Sequence, residues 1–211
     1  MRDEVGPGEY FGGCGEGSMK LKAVCILGSP RRKSNTEILL NYLMEELRRY
    51  NIATTKIVLR EYNVKPCYSC RKCLELGVCC LNDDMTNHIV PQVLQAHILV
   101  IATPVYFDNV TSLTKVFMDR TWCLRGKLKN KVLGCVVVGR GYGLDSALTA
   151  IHNWGLKHRM ILCDRGVAAR GFNYGDVLAD SRAFKDAKQH AKRLAEVARV
   201  IYQGGGFEIQ P

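Results

Sequence analysis

Five cysteines fall within one short stretch: Cys67, Cys70, Cys73, Cys79 and Cys80. The first three stand at two-residue gaps, and a fourth thiol follows after five or six residues. Four thiolates so closely spaced can hold an iron–sulfur cube or a zinc ion. Structural zinc sites usually draw two ligand pairs from separated turns, whereas an unbroken run of three suits three corners of a cube. Cys79 or Cys80 supplies the fourth sulfur. Lys65, Arg71 and Lys72 flank the run. Their charge would offset an anionic, thiolate-bound cube and raise its potential.

A second group of functional residue types lies upstream, in Gly28-Ser-Pro-Arg-Arg-Lys-Ser34-Asn-Thr36. The apolar run of residues 23–27 precedes it, and a helical pattern follows. Such a loop ends on a helix N-terminus, where unpaired N–H groups and the positive dipole end favour a phosphate. Ser29, Ser34, Asn35 and Thr36 can donate to phosphate oxygens, and Arg31 or Arg32 adds charge. The bland alternative is an ordinary N-cap by Ser34 or Asn35. The frame is neither Gly-x-x-x-x-Gly-Lys-Ser/Thr nor Gly-x-Gly-x-x-Gly.

The elements that must position these groups alternate. Apolar strands are expected at 23–27, 54–59, 98–102, 132–138 and 160–163. Helical spacing occupies 36–50, 85–96, 112–120, 144–157 and 180–202, with Pro91 breaking or restarting the second of these. Alternation of apolar strands with helices predicts a parallel sheet covered on both faces. Five strands suit the doubly wound, flavodoxin-like α/β order 2-1-3-4-5, with the cysteines in an insert at 63–84 after strand 2. Residues 1–19, rich in glycine and holding an isolated Cys14, read as a flexible lead, and 204–211 as a loose tail. One domain spans 20–203.

Ligands of such sheets bind at the carboxyl ends of the strands. Two further loops belong there. Thr103, Pro104, Val105, Tyr106 and Phe107 follow strand 3 and offer amides and aromatic faces to a flat ring. Gly139, Arg140, Gly141, Tyr142 and Gly143 follow strand 4 and permit close backbone approach. Tyr106, Arg140 and His152 are candidates for tuning a bound ring, with His152 equally readable as a packed helix residue. No side-chain catalytic acid or base stands out.

The chain has 211 residues, 47% of them apolar, a formal charge of +10 and a pI near 9.2. That length suits one large domain. The basic runs 31–33 and 127–131 are short and lack the interleaved aromatics of a nucleic-acid platform. No apolar run reaches membrane-spanning length and no secretory signal is visible. The ten cysteines are therefore expected to be reduced thiols of a cytoplasmic protein. Cys25, Cys123, Cys135 and Cys163 fall in apolar segments and read as small core residues.

Residues 28–36, 103–107 and 139–143 together resemble the NADPH-dependent FMN reductase family. With Cys-x2-Cys-x2-Cys-x5-Cys and the trailing Asp83-Asp84-Met85, the chain is similar to the iron–sulfur flavoproteins of anaerobic archaea and bacteria. The resemblance implies a flavodoxin-like fold, FMN, a [4Fe–4S] cluster on Cys67, Cys70, Cys73 and Cys79, and a homodimer or homotetramer. It implies that residues 29–36 hold the FMN phosphate, 103–107 line the isoalloxazine and ribityl, and 139–143 close over the ring. The expected activity is electron transfer from ferredoxin or NAD(P)H to a small acceptor such as dioxygen, peroxide or a quinone. Three other readings stay open: a carrier between ferredoxin and a partner enzyme, a cluster-free NAD(P)H:FMN or quinone reductase, and a zinc-stabilised module without redox chemistry.

Overall fold

The computed structural model describes residues 19–204. The expected lead up to residue 18, with Cys14, and the tail beyond Gly204 lie outside the described residues.

Six strands form one parallel sheet: β1 (Lys22–Leu27), β2 (Ala53–Val58), β3 (Ile98–Pro104), β4 (Val132–Gly139), β5 (Ile161–Leu162) and β6 (Val167–Arg170). Their order is β2-β1-β3-β4-β5, and β6 also pairs with β4. The predicted 2-1-3-4-5 arrangement is therefore observed. Ile26 of β1 stands level with Ile57 of β2 and Ile101 of β3. Such unbroken apolar strands belong to sheets buried on both faces.

The helices are α1 (Asn35–Arg49), α2 (Cys73–Leu76), α3 (Val90–Gln95), α4 (Ser112–Arg120), α5 (Leu144–Lys157) and α6 (Ser181–Gln203). On one face α1 and α6 pack Leu39, Leu43, Leu47, Ala191 and Leu194 against the sheet. On the other, Ile89, Val93, Phe117, Ile151 and Trp154 from the α3, α4 and α5 side meet Leu99 and Ile101. Each fully buried leucine of α1 contributes about 1.5–3 kcal/mol of apolar transfer. Ser34 caps α1 by accepting from Glu37 N–H, and Asn51, with φ +59, takes the chain out of the helix. Cys25 is fully buried, and burial pushes its thiol up to about 12. It is a core residue, as expected from sequence.

Two features depart from the periodicity reading. The fifth strand position is split between β5 and β6, both parallel to β4. Residues 163–166 break it, with Gly166 at φ +83 and its N–H given to Asp164 Oδ1 at 2.7 Å. Pro91 does not interrupt the helical path. It stands in the first turn of α3, after a π-helical turn, Met85–Ile89. A proline is tolerated there because a first-turn N–H lacks a helical acceptor anyway. Lys131, counted with a basic surface run, is instead buried. Its ammonium donates to Leu94 O at 2.8 Å and to Ala96 O, closing the carboxyl end of α3.

His158 is expected to make the fold acid-sensitive. Thr121 Oγ1 donates its single proton to Met118 O at 2.6 Å and accepts from Trp154 Nε1 at 2.9 Å. His158 Nε2, 2.9 Å from the same oxygen, must therefore be the donor. Its Nδ1 is buried without a partner among the described residues, and desolvation lowers the imidazole's pKa. A folded-state pKa below the unfolded value means that this stability is present above about pH 6.5 and is lost as pH falls beneath it. We expect the urea midpoint to fall from pH 7 to pH 5.5, and the fall to shrink in His158→Gln. An unchanged pH slope in that variant would count against His158 as the origin.

Candidate functional site

The carboxyl ends of β1, β3 and β4 open into a cleft of about 300 Å³. Ser29, Arg31, Ser34, Asn35 and Thr36 line one end. Ser29 and Thr36 are each 1% exposed, so both line the cleft from within the fold. Ser29 Oγ accepts from Arg31 N–H at 3.3 Å, which curls the loop toward the N-terminus of α1. Asn35 is committed elsewhere. Its Nδ2 donates to Asn173 O at 2.7 Å and its Oδ1 accepts from Gly175 N–H at 2.8 Å. It fastens the 173–175 loop beside the cleft, at the N-terminus of α1, where unpaired N–H groups favour an anion. Arg31 Nη1 donates to Phe172 O at 3.3 Å.

The other end is aromatic. Pro104, Val105, Tyr106, Phe107, Gly139, Arg140 and Tyr142 line it. Tyr106 and Asn109 exchange backbone hydrogen bonds at 2.9 and 3.1 Å. Between them Phe107 and Asp108 both have positive φ, at +47° and +58°. Such a tight turn is uncommon for a phenylalanine, and it leaves Phe107 fully exposed on the rim. The Arg140 guanidinium lies 3.5 Å over the Phe172 ring.

Four of the expected residues stand apart from this cleft. Thr103 is fully buried and accepts from Thr111 N–H at 3.2 Å and from Thr114 Oγ1 at 3.1 Å, holding α4 to the sheet. Gly141 and Gly143 line a larger, neighbouring cleft of about 1120 Å³ shared with Arg140. Gly143, with φ +66, approaches Asp108 so closely that a Cβ would meet its backbone at 2.6 Å. His152 lines neither cleft among the described residues and stands 3.1 Å from Arg165 O. Sequence reading missed Gly171 and Phe172, which complete the cleft wall from the loop after β6. Nothing local to that loop marks it, since it is brought in by the split edge strand. The donors at one end and the aromatic and backbone surfaces at the other fit a phosphorylated flat ring.

The cysteine insert forms a separate pocket of about 610 Å³, lined by Cys67, Cys70, Cys73, Cys79 and Cys80 and also by Cys123. Cys123 is 9% exposed, so its burial was legible, but its place on the pocket wall was not. It comes from the turn Thr121–Leu124 that extends α4. Burial pushes the Cys73 thiol up, and Cys79, Cys70 and Cys67 lie near enough to push it further. Cys80 lines the same pocket, with its Sγ 3.4 Å from Cys70 Sγ and 3.7 Å from Tyr68 Oη. The Cys70 thiol is held below its usual pKa, first by the Lys72 N–H and then by Cys80. Four ligands on one zinc, at about 2.3 Å each, stand about 3.8 Å apart. Among the described residues, no three of the pocket's sulfurs lie within 4.8 Å of one another. Cys67, Cys70, Cys73 and Cys79 all line this one pocket, the number of thiolates that an iron–sulfur cube takes.

The trio of metal-type ligand atoms that does close to 4.8 Å among the described residues is Cys163, Asp164 and His190. Cys135 N–H donates to His190 Nε2 at 3.1 Å, which places the ring proton on Nδ1, 2.6 Å from Asp164 Oδ1. The contact of His190 with Asp164, beside Cys163, clasps the break between β5 and β6.

Helix α4 connects the two pockets. At its N-terminus Thr111 Oγ1 donates to Gly28 O at 2.7 Å, under the phosphate-type loop. At its C-terminus Arg120 lines the thiol pocket. Nine residues at 1.5 Å each separate the ends by about 14 Å. Arg120 also fastens the insert. It forms a two-pronged pair with Asp83, at 2.5 and 2.9 Å, with both side chains essentially buried. Burial pushes the Asp83 carboxyl up, but hydrogen bonds from Arg120 and from Lys65 N–H outweigh it and hold its pKa low. Sequence reading noted Asp83 but had no means of pairing it with Arg120.

A doubly wound parallel sheet with an anion loop after β1 and an aromatic rim after β3 defines the class of flavodoxin-like flavoproteins. The sequence pattern described as NADPH-dependent FMN reductase matches residues 21–174. The chain belongs to that family and is a flavin-dependent oxidoreductase. It is 33% identical to an iron–sulfur flavoprotein of Methanocaldococcus jannaschii, over 86% of this chain and 99% of that one. It is 29% identical to an iron–sulfur flavoprotein of Methanosarcina thermophila, over 86% and 97% respectively. Among solved structures it resembles RosB with a bound riboflavin-5'-phosphate derivative, with a TM-score of 0.75, 19% identity, and 87% and 81% of the two chains covered. A flavodoxin from the domain Archaea superposes with a TM-score of 0.59 at 12% identity, over 85% and 99% of the chains. These two likenesses are of fold. Among the described residues no helix is long and apolar enough to cross a membrane.

Proposed function

We propose that this chain is an FMN- and [4Fe–4S]-dependent oxidoreductase. It passes electrons between a reduced donor, ferredoxin or NAD(P)H, and a small acceptor such as dioxygen, peroxide or a quinone, as a homodimer or homotetramer. The observation that carries the reading is the thiol pocket at one end of α4, with the flavin-type cleft at the other. The names of the iron–sulfur flavoproteins it resembles support the same pair of cofactors.

Bound FMN would supply two-electron hydride chemistry with single-electron release, and a bound cluster one-electron transfer. The chain's own residues have plainer tasks. Ser29, Ser34, Thr36 and the first turn of α1 hold the phosphate. Pro104 to Phe107 and Tyr142 set the plane of the ring and exclude water from its edge, while Arg140, braced on Phe172, places a positive charge beside it. Cys67, Cys70, Cys73 and Cys79 hold the cluster, and Cys80 and Tyr68 can donate to the Cys70 sulfur.

Anaerobically purified protein is expected to contain about four irons and four acid-labile sulfides with one flavin per chain. Cys73→Ser should lose the iron while keeping the flavin, because the cleft and the pocket share no lining residue. Flavin without iron in the wild-type chain would replace this reading with a cluster-free reductase.

A further inference from the structure

Arg120 carries five N–H donors into the wall of the thiol pocket. Four are used. Nη1 donates to Lys65 O at 2.6 Å and to Asp83 Oδ2 at 2.5 Å, and Nη2 donates to Asp83 Oδ1 at 2.9 Å and Thr86 Oγ1 at 3.2 Å. The fifth, on Nε, is buried and has no hydrogen-bond partner among the described residues. An unmet donor on a fully buried charged side chain is costly. The two-pronged grip of Asp83 fixes the guanidinium plane, and with it the direction of the Nε–H.

The pocket wall around it holds two sulfurs from the same region, Cys79 and Cys123. Cys123 is spoken for: its Sγ donates to Arg120 O at 3.3 Å. Cys79 lines the same pocket as the guanidinium and lies near enough to support its charge. Burial works against the charge of Arg120, and Asp83 and Cys79 restore it. Cys80 is turned to Tyr68 and Cys70.

We infer that the Arg120 Nε–H donates to the Cys79 thiolate of the bound cluster, making Arg120 the positioning residue that selects Cys79 over Cys80 as the fourth ligand and holds the cluster at a higher potential. The inference rests on the cluster reading above. Hydrogen bonds to cluster sulfurs and nearby positive charge favour the reduced, more anionic state. A lysine keeps the charge opposite Asp83 but has neither the planar fork nor an N–H on the same vector.

The test uses the anaerobically purified full chain. Wild type and Cys80→Ala are expected to retain about four irons, and Cys79→Ala to lose the cluster. Arg120→Lys is expected to keep iron and to shift the midpoint potential to a more negative value in an EPR-monitored titration. With arginine labelled with nitrogen-15 at Nε, pulsed EPR of the reduced wild-type cluster should show a nitrogen-15 coupling. That coupling should persist in Arg71→Lys, which removes the other arginine lining the pocket. The label experiment decides the matter even if Arg120→Lys fails to fold. Wild-type protein without iron would overturn the cluster reading, and this inference with it. Full iron with no nitrogen-15 coupling, or an Arg120→Lys potential equal to wild type, would overturn the Arg120 assignment alone.

Discussion

Asp83→Ala is expected to lower the stability of the folded chain by about 3–5 kcal/mol, the usual cost of removing one partner from a buried ion pair. The substitution leaves the Arg120 guanidinium buried with no carboxylate, although its side chain is fully shielded from solvent. It also frees both ends of the insert. Asp83 accepts from Lys65 N–H at 2.9 Å before the cysteines, and from Thr86 N–H at 3.3 Å after them. Urea unfolding followed by far-UV circular dichroism should show the loss, and the iron content should fall with it. Asp83→Ala combined with Arg120→Met should recover part of the stability, because an apolar pair of similar volume avoids the buried charge. An Asp83→Ala midpoint within experimental error of wild type would refute the pair's structural role.

Gly28→Ala is expected to weaken FMN retention by about a hundredfold, equivalent to losing one or two charge-assisted hydrogen bonds. A Cβ at this position would sit 1.8 Å from Thr114 Oγ1. Thr114 cannot swing aside. It is fully buried, and its hydroxyl is tied to Thr103 Oγ1 at 3.1 Å and Thr111 Oγ1 at 3.0 Å. Either α4 or the loop must move, at a further cost of about 1–3 kcal/mol in overpacking, and the loop carries the residues proposed to hold the phosphate. Flavin fluorescence released on dialysis would measure the effect. Thr114→Ala in the same chain should restore much of the binding by removing the blocking oxygen. Full flavin retention by Gly28→Ala would show that the contact between loop and helix does not set the cradle.

Much of this was legible along the chain. The strand and helix periodicities sit within a residue or two of the observed elements, because both signals are local: an apolar run between punctuators, or a 3.6-residue repeat. The two exceptions have local causes of another kind. The split fifth strand turns on Asp164 bonding Gly166 N–H, which a count of apolar residues does not register. The helical segment survives Pro91 because a π-helical turn sets the proline in the first turn of α3.

The residue types at the site were equally visible. Twelve of the fifteen flavin-loop residues named from sequence line the cleft, and all four expected cluster ligands line one pocket. Their spacing within short loops already limits where they can go. What the sequence could not decide was which side chain meets which. Asn35 spends its amide on residues 173 and 175, Arg120 meets an aspartate 37 residues away, and Cys123 joins a thiol pocket whose other members end at Cys80. The chemistry of this protein was therefore set by composition and short-range spacing. The partners that orient it were set by packing between distant segments, because a side chain's free donors are defined only once the fold has used up the others.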